Sequence, residues 1–454
     1  MCSLKTTIIS AGKILSIFTS IFFITNYAVA QKNLLILSGN LHNDVSINLI
    51  HPSLVNKLYQ LTQNKLIWFL PGEQSQLLRQ VFKNKIDSSI NLGLQKNKYH
   101  SNELKQNADK NFSLEDSLAA MQMDRIFTDA AIAYCKDVYQ GVDIDRWMSY
   151  DEISKKYEEA DNTYLVNNLI TVRSADDLLH FLNSLEPNDK EYLLLKTELQ
   201  SKSSLTFLQK QQLTISLNLY RWIHHFHFEK YIVVNIPSAS LRYYEYDSAK
   251  LSMKVVVGKP STKTPRFAAY SNQVILYPYW NVPASIAMKE LLPRFKRNPR
   301  QVNELNIQLI DSKGRIVDPG KLNWRNYNKA YFPFRMRQST GCDNSLGMIK
   351  FDLTSPYSVY LHDTNNKSVF LSSSRYYSHG CIRVEKPVEL ANYLLQKKID
   401  SKFLEACLKE QVPIPVNLVK PVPIFVVYQT VDTDINNGIK YYKDVTRPEK
   451  SLHL

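Results

Sequence analysis

The sequence predicts an α+β fold in two parts, a helical N-terminal half followed by a mostly antiparallel β domain that is interrupted by a helical insertion. From about residue 50 to 228 apolar residues recur every three or four positions, as on one face of a helix. From Tyr231 onward the period drops to two, in short β-branched and aromatic runs. A third observation marks where the chemistry lies: in "YYSHGCIRVEKP" (376–387), Cys381 stands among polar neighbours rather than the apolar ones a core cysteine needs.

Each element can be justified in turn. Lys5 and Lys13 precede the apolar run Ile14–Ile24, and Ala28-Val29-Ala30 forms an A-x-A cleavage site before Gln31, so residues 1–30 read as a signal peptide. Eleven apolar residues rise only about 16 Å as a helix, too little for a bilayer core of roughly 30 Å. The mature protein is expected in the periplasm without a membrane span. Its charge is strongly basic, +14 for the whole chain, which favours an anionic partner. Export argues against nucleic acid in that role and leaves acidic lipid or an acidic polymer such as cell wall.

Residues 31–228 are expected to form the helical domain. "SQLLRQVFKNKIDSSINLGL" (75–94) and "TDAAIAYCKDVYQG" (128–141) carry helical spacing, with Gly141 as a stop signal and the Pro/Asn/Asp break of "LEPNDKEY" further on. Residues 229–446 form the β domain, with strands at Tyr231–Pro237, Leu241–Tyr246, Ser252–Lys259 and Gln273–Trp280. An insertion at about 282–335 opens with a basic helix, Ser285–Arg300, in which Lys289, Arg294, Lys296, Arg297 and Arg300 face a single acid, Glu290. Strands resume near Ser355–Asp363, a helix covers 388–397, and "VPIFVVYQTV" with "GIKYYKDV" is expected as a closing strand pair. Residues 447–454 are a tail.

Cys2 leaves with the leader, and the four remaining cysteines are too few for a disulfide framework in a chain this long. Cys135 lies in an apolar helix and reads as core. If Cys381 stays free, Cys135, Cys342 and Cys407 can form one disulfide at most, and the sequence does not choose the pair. Cys342, in "TGCDNSLG", reads as a bystander rather than a regulatory thiol.

A cysteine nucleophile needs a base, and His362 at the end of "SVYLHD" is the best placed. Protonated His362 is expected to hold the Cys381 thiolate below the free value of about 8.5. Gly380 gives the backbone freedom to aim amide N–H groups at an oxyanion. Arg383 suits a substrate carboxylate, in competition with a salt bridge to Glu385. His224, His225 and His227 lack further ligands at metal-binding spacing and read as structural, so no cofactor is expected.

His362, fifteen residues, then Ser378-His379-Gly380-Cys381-Ile382-Arg383 resembles the signature of the L,D-transpeptidases with a YkuD-type catalytic domain. "VVNIPSASLRYYEY", "YPYWNVPASI", "STGCDNSLGMIKFDL" and "YSVYLHDT" are similar, in order, to blocks of its YcbB-like branch. The resemblance implies a helical scaffold before the catalytic domain, and a capping insertion within it. It implies that Cys381 attacks the carbonyl between a third-position diaminopimelate and a fourth-position D-alanine of a peptidoglycan stem. D-Alanine leaves, and an amine of a second stem resolves the thioester. By the same resemblance His362 is the base, the Asp363 carbonyl orients its ring, and Ser378, His379 and Arg383 fall on motif positions lining the site, while Tyr360, Trp280 and Asn281 are assigned to the substrate cleft on position alone. Partners are then stem peptides, with other cell-wall synthases as candidates. The wall-binding module usual in this branch has no room between Tyr192 and Trp222. Water as acceptor would give a carboxypeptidase, a protein lysine would give wall-protein attachment, and a third alternative is a non-catalytic wall-binding scaffold.

Overall fold

The computed structural model describes residues 47–113, 116–201, 204–434 and 438–445, so the signal peptide and the tail 447–454 lie outside the described residues. The chain divides into two compact units. The first gathers the helical segments up to Val142, Tyr157–Asn188 and Leu199–Trp222. The second holds Asp143–Lys156, Asp189–Glu198 and everything from Ile223 onward. The two-residue strand Tyr150–Asp151 pairs in parallel with Phe267–Ala268, a tie that helical periodicity cannot reveal.

In the helical unit the 24-residue helix Ser117–Gln140 is the spine, with Phe127, Ala130, Ala131, Ile132, Cys135 and Val138 wholly buried. Cys135 is thus a core residue, and burial pushes its thiol up. Gly141 ends the helix at φ 76, a value that glycine adopts without strain. On the same spine the buried Asp124 carboxylate accepts N–H bonds from Ile67, Trp68 and Phe69 at 2.8–3.1 Å, which satisfies an acid that would otherwise be costly there.

The ring of the second unit is built on eight strands: β1 (Lys230–Asn235), β2 (Ser240–Glu245), β3 (Ser248–Gly258), β4 (Phe267–Leu276), β5 (Ile349–Leu353), β6 (Leu361–His362), β7 (Ile382–Val384) and β8 (Ile414–Val427). They pair in the order β4-β5-β6-β7-β3-β2-β1-β8, and β8 also pairs with β4, so the sheet closes on itself. All pairings are antiparallel except β6–β7 and β1–β8. Alternate residues fill the core, among them Ile232 and Val234, Leu241 and Tyr243, Val255 and Val257, Ile424 and Val426, none of them exposed. A closed sheet leaves no long free edge for another chain to join.

The insertion begins helically at Ala284–Ile286, widens into a π turn over Ala287–Leu291 and continues as Leu292–Arg297. Pro293 cannot donate to the preceding turn, and the widened geometry absorbs that missing bond. The insertion also carries a four-stranded sheet, Trp280–Asn281, Arg335–Gln338, Ile307–Ile310 and Ile316–Val317 in that order. The closing strand pair differs from expectation. "VPIFVV" belongs to β8 within the ring, and the last hairpin is instead Val431–Thr433 with Ile439–Tyr441.

Candidate active site

Cys381 sits in the turn between the short strand Tyr376–Ser378 and β7. Gly380 makes the turn at φ +116; a Cβ there would meet its nearest neighbour at an ordinary 3.6 Å, so backbone conformation rather than space demands glycine. Ser378 Oγ donates to the Cys381 carbonyl at 2.6 Å and accepts the Gly380 N–H at 3.1 Å. Thr264 Oγ1 clamps the Gly380 carbonyl at 2.8 Å. Ser378 is therefore a turn clamp and not the substrate-binding residue expected: it is 2 % exposed and its hydroxyl is spent on the loop.

His362 closes β6 and is buried, and its Nδ1 lies 2.5 Å from the Asp363 carbonyl oxygen. A carbonyl only accepts, so Nδ1 carries the proton and a neutral ring keeps its lone pair on Nε2. Asp363 is itself fixed: its carboxylate accepts from the Met348 N–H at 3.0 Å, the Thr364 N–H at 2.6 Å and Lys367 Nζ. In the sheet register Lys350 of β5 stands opposite His362, and His362 stands opposite Arg383 of β7. Burial, then the Arg383 guanidinium, with a smaller push from Lys350, lower the His362 pKa to about 3, against backbone bonds from Asp363 and Leu346 that favour protonation.

The resting sulfur differs from the expected thiolate. Burial pushes the Cys381 thiol up, outweighing hydrogen bonds from Tyr360 and the charges of Lys350 and Arg383 that pull it down. Its Sγ lies 3.7 Å from the Ser358 carbonyl, an acceptor for the thiol proton. The correction follows from burial: both partners sit in a low-dielectric setting that penalises charge, so the pair rests as thiol and neutral imidazole. His362 rests neutral and shares no existing ion pair with the sulfur.

The other expected residues divide. Tyr360 is tied to the nucleophile turn through its backbone, its carbonyl accepting the Ile382 N–H at 3.1 Å. Burial first, and then Cys381, raise the phenol. The Tyr360 and His362 rings meet edge to face at 5.6 Å. Arg383 Nε is buried without a hydrogen-bond partner among the described residues, and Glu385 bonds the Lys254 N–H at 3.0 Å, so the Arg383–Glu385 salt bridge does not form. His379 Nε2 meets Glu290 Oε1 of the insertion at 2.8 Å. Asn281 is exposed and pairs through its backbone with Arg337. His224 is buried between Asp189 at 3.6 Å and Asp247 at 3.3 Å, and no metal-binding group occurs among the described residues.

Two features escaped the sequence reading. Cys342 and Cys407 form a disulfide across 65 residues, so Cys342 is neither a regulatory nor a bystander thiol. It staples the loop whose next residues, Leu346 to Met348, touch His362 and Asp363. The other is Lys350, whose Nζ lies 4.5 Å from the centroid of the Tyr360 ring. In "MIKFDL" it looks like an ordinary strand lysine.

With this geometry the comparisons with known proteins agree. Residues 229–418 match the L,D-transpeptidase catalytic domain family, YkuD, and residues 53–199 match a family described as a scaffold domain. Over that span the ring unit is similar to a YkuD L,D-transpeptidase catalytic domain. A putative L,D-transpeptidase of Haemophilus influenzae is 33 % identical over 257 residues, covering 55 % of this chain and 50 % of its own length. The chain thus spans about half the length of that curated relative. Among solved structures, L,D-transpeptidase LdtMt1 in complex with imipenem is 16 % identical, with coverage of 44 % of this chain and 59 % of that one at a TM-score of 0.21. The catalytic domain of the Enterococcus faecium L,D-transpeptidase acylated by ertapenem is 14 % identical, covering 41 % and 96 % at a TM-score of 0.17. Superpositions of that quality add nothing to the family match. The matched span contains Cys381, His362 and the residues that hold them, from Thr264 to Arg383.

Proposed function

We propose that this protein is a peptidoglycan L,D-transpeptidase of the periplasm, exported by its leader, that joins the third-position residues of two stem peptides. The observation that carries this reading is the pairing of β6 with β7, which sets His362 opposite Arg383, two residues along from Cys381, with the ring proton held on Nδ1. His362 Nε2 takes the thiol proton as Cys381 Sγ bonds to the carbonyl carbon of diaminopimelate. The amide bond to D-alanine then breaks, and the same proton passes to the leaving amine. An acceptor amine attacks the thioester, gives its proton to His362, and the C–S bond breaks. The proton finally returns to sulfur.

Arg383 supports the choice of an anionic donor, since its buried Nε has no hydrogen-bond partner among the described residues. The Gly380 N–H is committed to Ser378 and the Ile382 N–H to the Tyr360 carbonyl, so the backbone contribution to the oxyanion falls to Cys381's own N–H. The test is incubation with disaccharide-tetrapeptides, followed by mass spectrometry, with Cys381→Ala as control. A dimer formed with loss of D-alanine supports transpeptidation. A tripeptide monomer alone would replace it with the carboxypeptidase reading, and no product in either protein would favour a wall-binding scaffold.

A further inference from the structure

The connection from β3 to β4, residues 259–266, lies against the nucleophile turn and holds it at two carbonyls. The Lys259 N–H and the Thr262 hydroxyl donate to the Ser378 carbonyl at 3.1 and 3.0 Å. Thr264 Oγ1 accepts the Gly258 N–H at 2.9 Å and lies 2.8 Å from the Gly380 carbonyl oxygen. A carbonyl only accepts, so the hydroxyl proton points to Gly380. The connection folds this close because position 258 is glycine: a Cβ there would stand 2.2 Å from the Thr262 carbonyl oxygen and 2.6 Å from the Thr264 nitrogen. Thr264 is only 5 % exposed, so its hydroxyl serves the turn and not a substrate.

The carbonyl that Thr264 clamps shares a peptide plane with the Cys381 N–H. The Gly380–Cys381 bond is trans, which points that N–H in the direction opposite to the carbonyl. Gly380, at φ +116, lacks the Cβ that limits rotation of the plane in other residues, so an outside partner is needed to set it. The Cys381 N–H itself has no hydrogen-bond partner among the described residues. A bond donated to a peptide oxygen also strengthens the N–H of the same peptide as a donor. We propose that Thr264 is a positioning residue for the oxyanion: its hydroxyl fixes and polarises the Gly380–Cys381 peptide, so that the Cys381 N–H meets the negative charge formed during acylation. As the C–S bond forms, the carbonyl π pair moves onto oxygen and is received by this N–H; it returns to carbon as the amide C–N bond breaks. The relay runs from the Gly258 N–H through Thr264 to the Gly380–Cys381 peptide and involves neither the sulfur nor His362. The assignment rests on Cys381 as nucleophile and deepens that reading.

The test compares two reactions of Cys381 in the purified protein, each read on its own peptide by mass spectrometry. Meropenem acylates through attack on a lactam carbonyl and needs an oxyanion donor; iodoacetamide alkylates by displacement of iodide and needs none. Thr264→Val keeps the shape of the side chain and removes the hydroxyl. It should slow acylation about ten- to hundredfold, less than the roughly 10²–10³ of a deleted donor because the N–H remains, and change alkylation less than about twofold. Thr264→Ser, which keeps the hydroxyl, should recover most of the acylation rate. Thr264→Ala gives the same comparison if the valine variant folds poorly. Equal losses in both reactions would overturn the proposal by leaving Thr264 a structural role alone, as would acylation that neither variant slows or a loss that serine does not recover. A wild type that iodoacetamide modifies and meropenem does not would remove the oxyanion site itself. Because no muropeptide is used, a failed transpeptidase assay with this split intact would count against the proposed function alone.

Discussion

Replacing His362 by glutamine should make the catalytic ring less sensitive to acid. In the folded protein burial, followed by the Arg383 charge, lowers the imidazole pKa to about 3 from an ordinary 6.5. The unfolded chain binds that proton near about 6.5. Below this value the unfolded state holds a proton that the folded state refuses. Stability fully present above about 6.5 is therefore lost progressively as the pH falls toward about 3. Each pH unit is worth about 1.4 kcal/mol, so at pH 5 this one group should cost the wild type about 2 kcal/mol. Hydrogen exchange of peptides covering 349–363, measured at pH 7 and pH 5 and corrected for intrinsic rates, reports the opening free energy of β5 and β6. The wild type should lose about 2 kcal/mol more than His362→Gln between the two conditions. Equal losses in both proteins would refute a buried, neutral histidine.

Gly347→Ala should impair acylation without touching substrate, because at φ +60 an added Cβ would fall 2.4 Å from Asp363 Cγ and displace the residue that orients His362; acylation rate and circular dichroism together separate this from unfolding. Removing the Cys342–Cys407 bond with paired serines should destabilise the catalytic unit by up to roughly 4 kcal/mol on chain entropy and slow acylation as well, checked by denaturant titration and by thioester formation. Arg383→Lys should weaken capture of the donor stem through loss of the planar fork, raising KM more than it lowers kcat; unchanged KM would remove Arg383 from substrate binding. A carbapenem should leave a covalent adduct at Cys381 in the wild type and none in Cys381→Ala, read by intact mass.

The parts of this site that the sequence exposed are those whose chemistry is contiguous. Ser378 to Arg383 is one short turn, and His362 ends a recognisable strand, so spacing alone brings them forward. What escaped depends on pairings between distant segments. The strand expected over 355–363 forms at only two residues, β6, whose place is set by β5 on one side and β7 on the other. Neutral His362 is a product of burial together with cations contributed by two other strands, neither adjacent to it in sequence. Ser378 looked like a cleft residue because it sits in the motif, yet the turn's own unsatisfied N–H and carbonyl groups claim its hydroxyl first. Cys342 and Cys407 meet with Cα atoms 5.1 Å apart across a span that sequence spacing does not encode.

The role of β8 bears on the order in which the protein is made. Residues 414–427 bridge β4 and β1, so both of those strands are synthesised more than a hundred residues before the neighbour that completes them. Until that neighbour emerges, a growing chain can pair β1 with β2 and β2 with β3, but the cylinder stays open along one seam. The nucleophile turn is already made by then and must wait. A ribosome-stalled chain ending before Ile414 is therefore expected to carry the Cys381 turn and its β6–β7 pairing in a sheet that is still open.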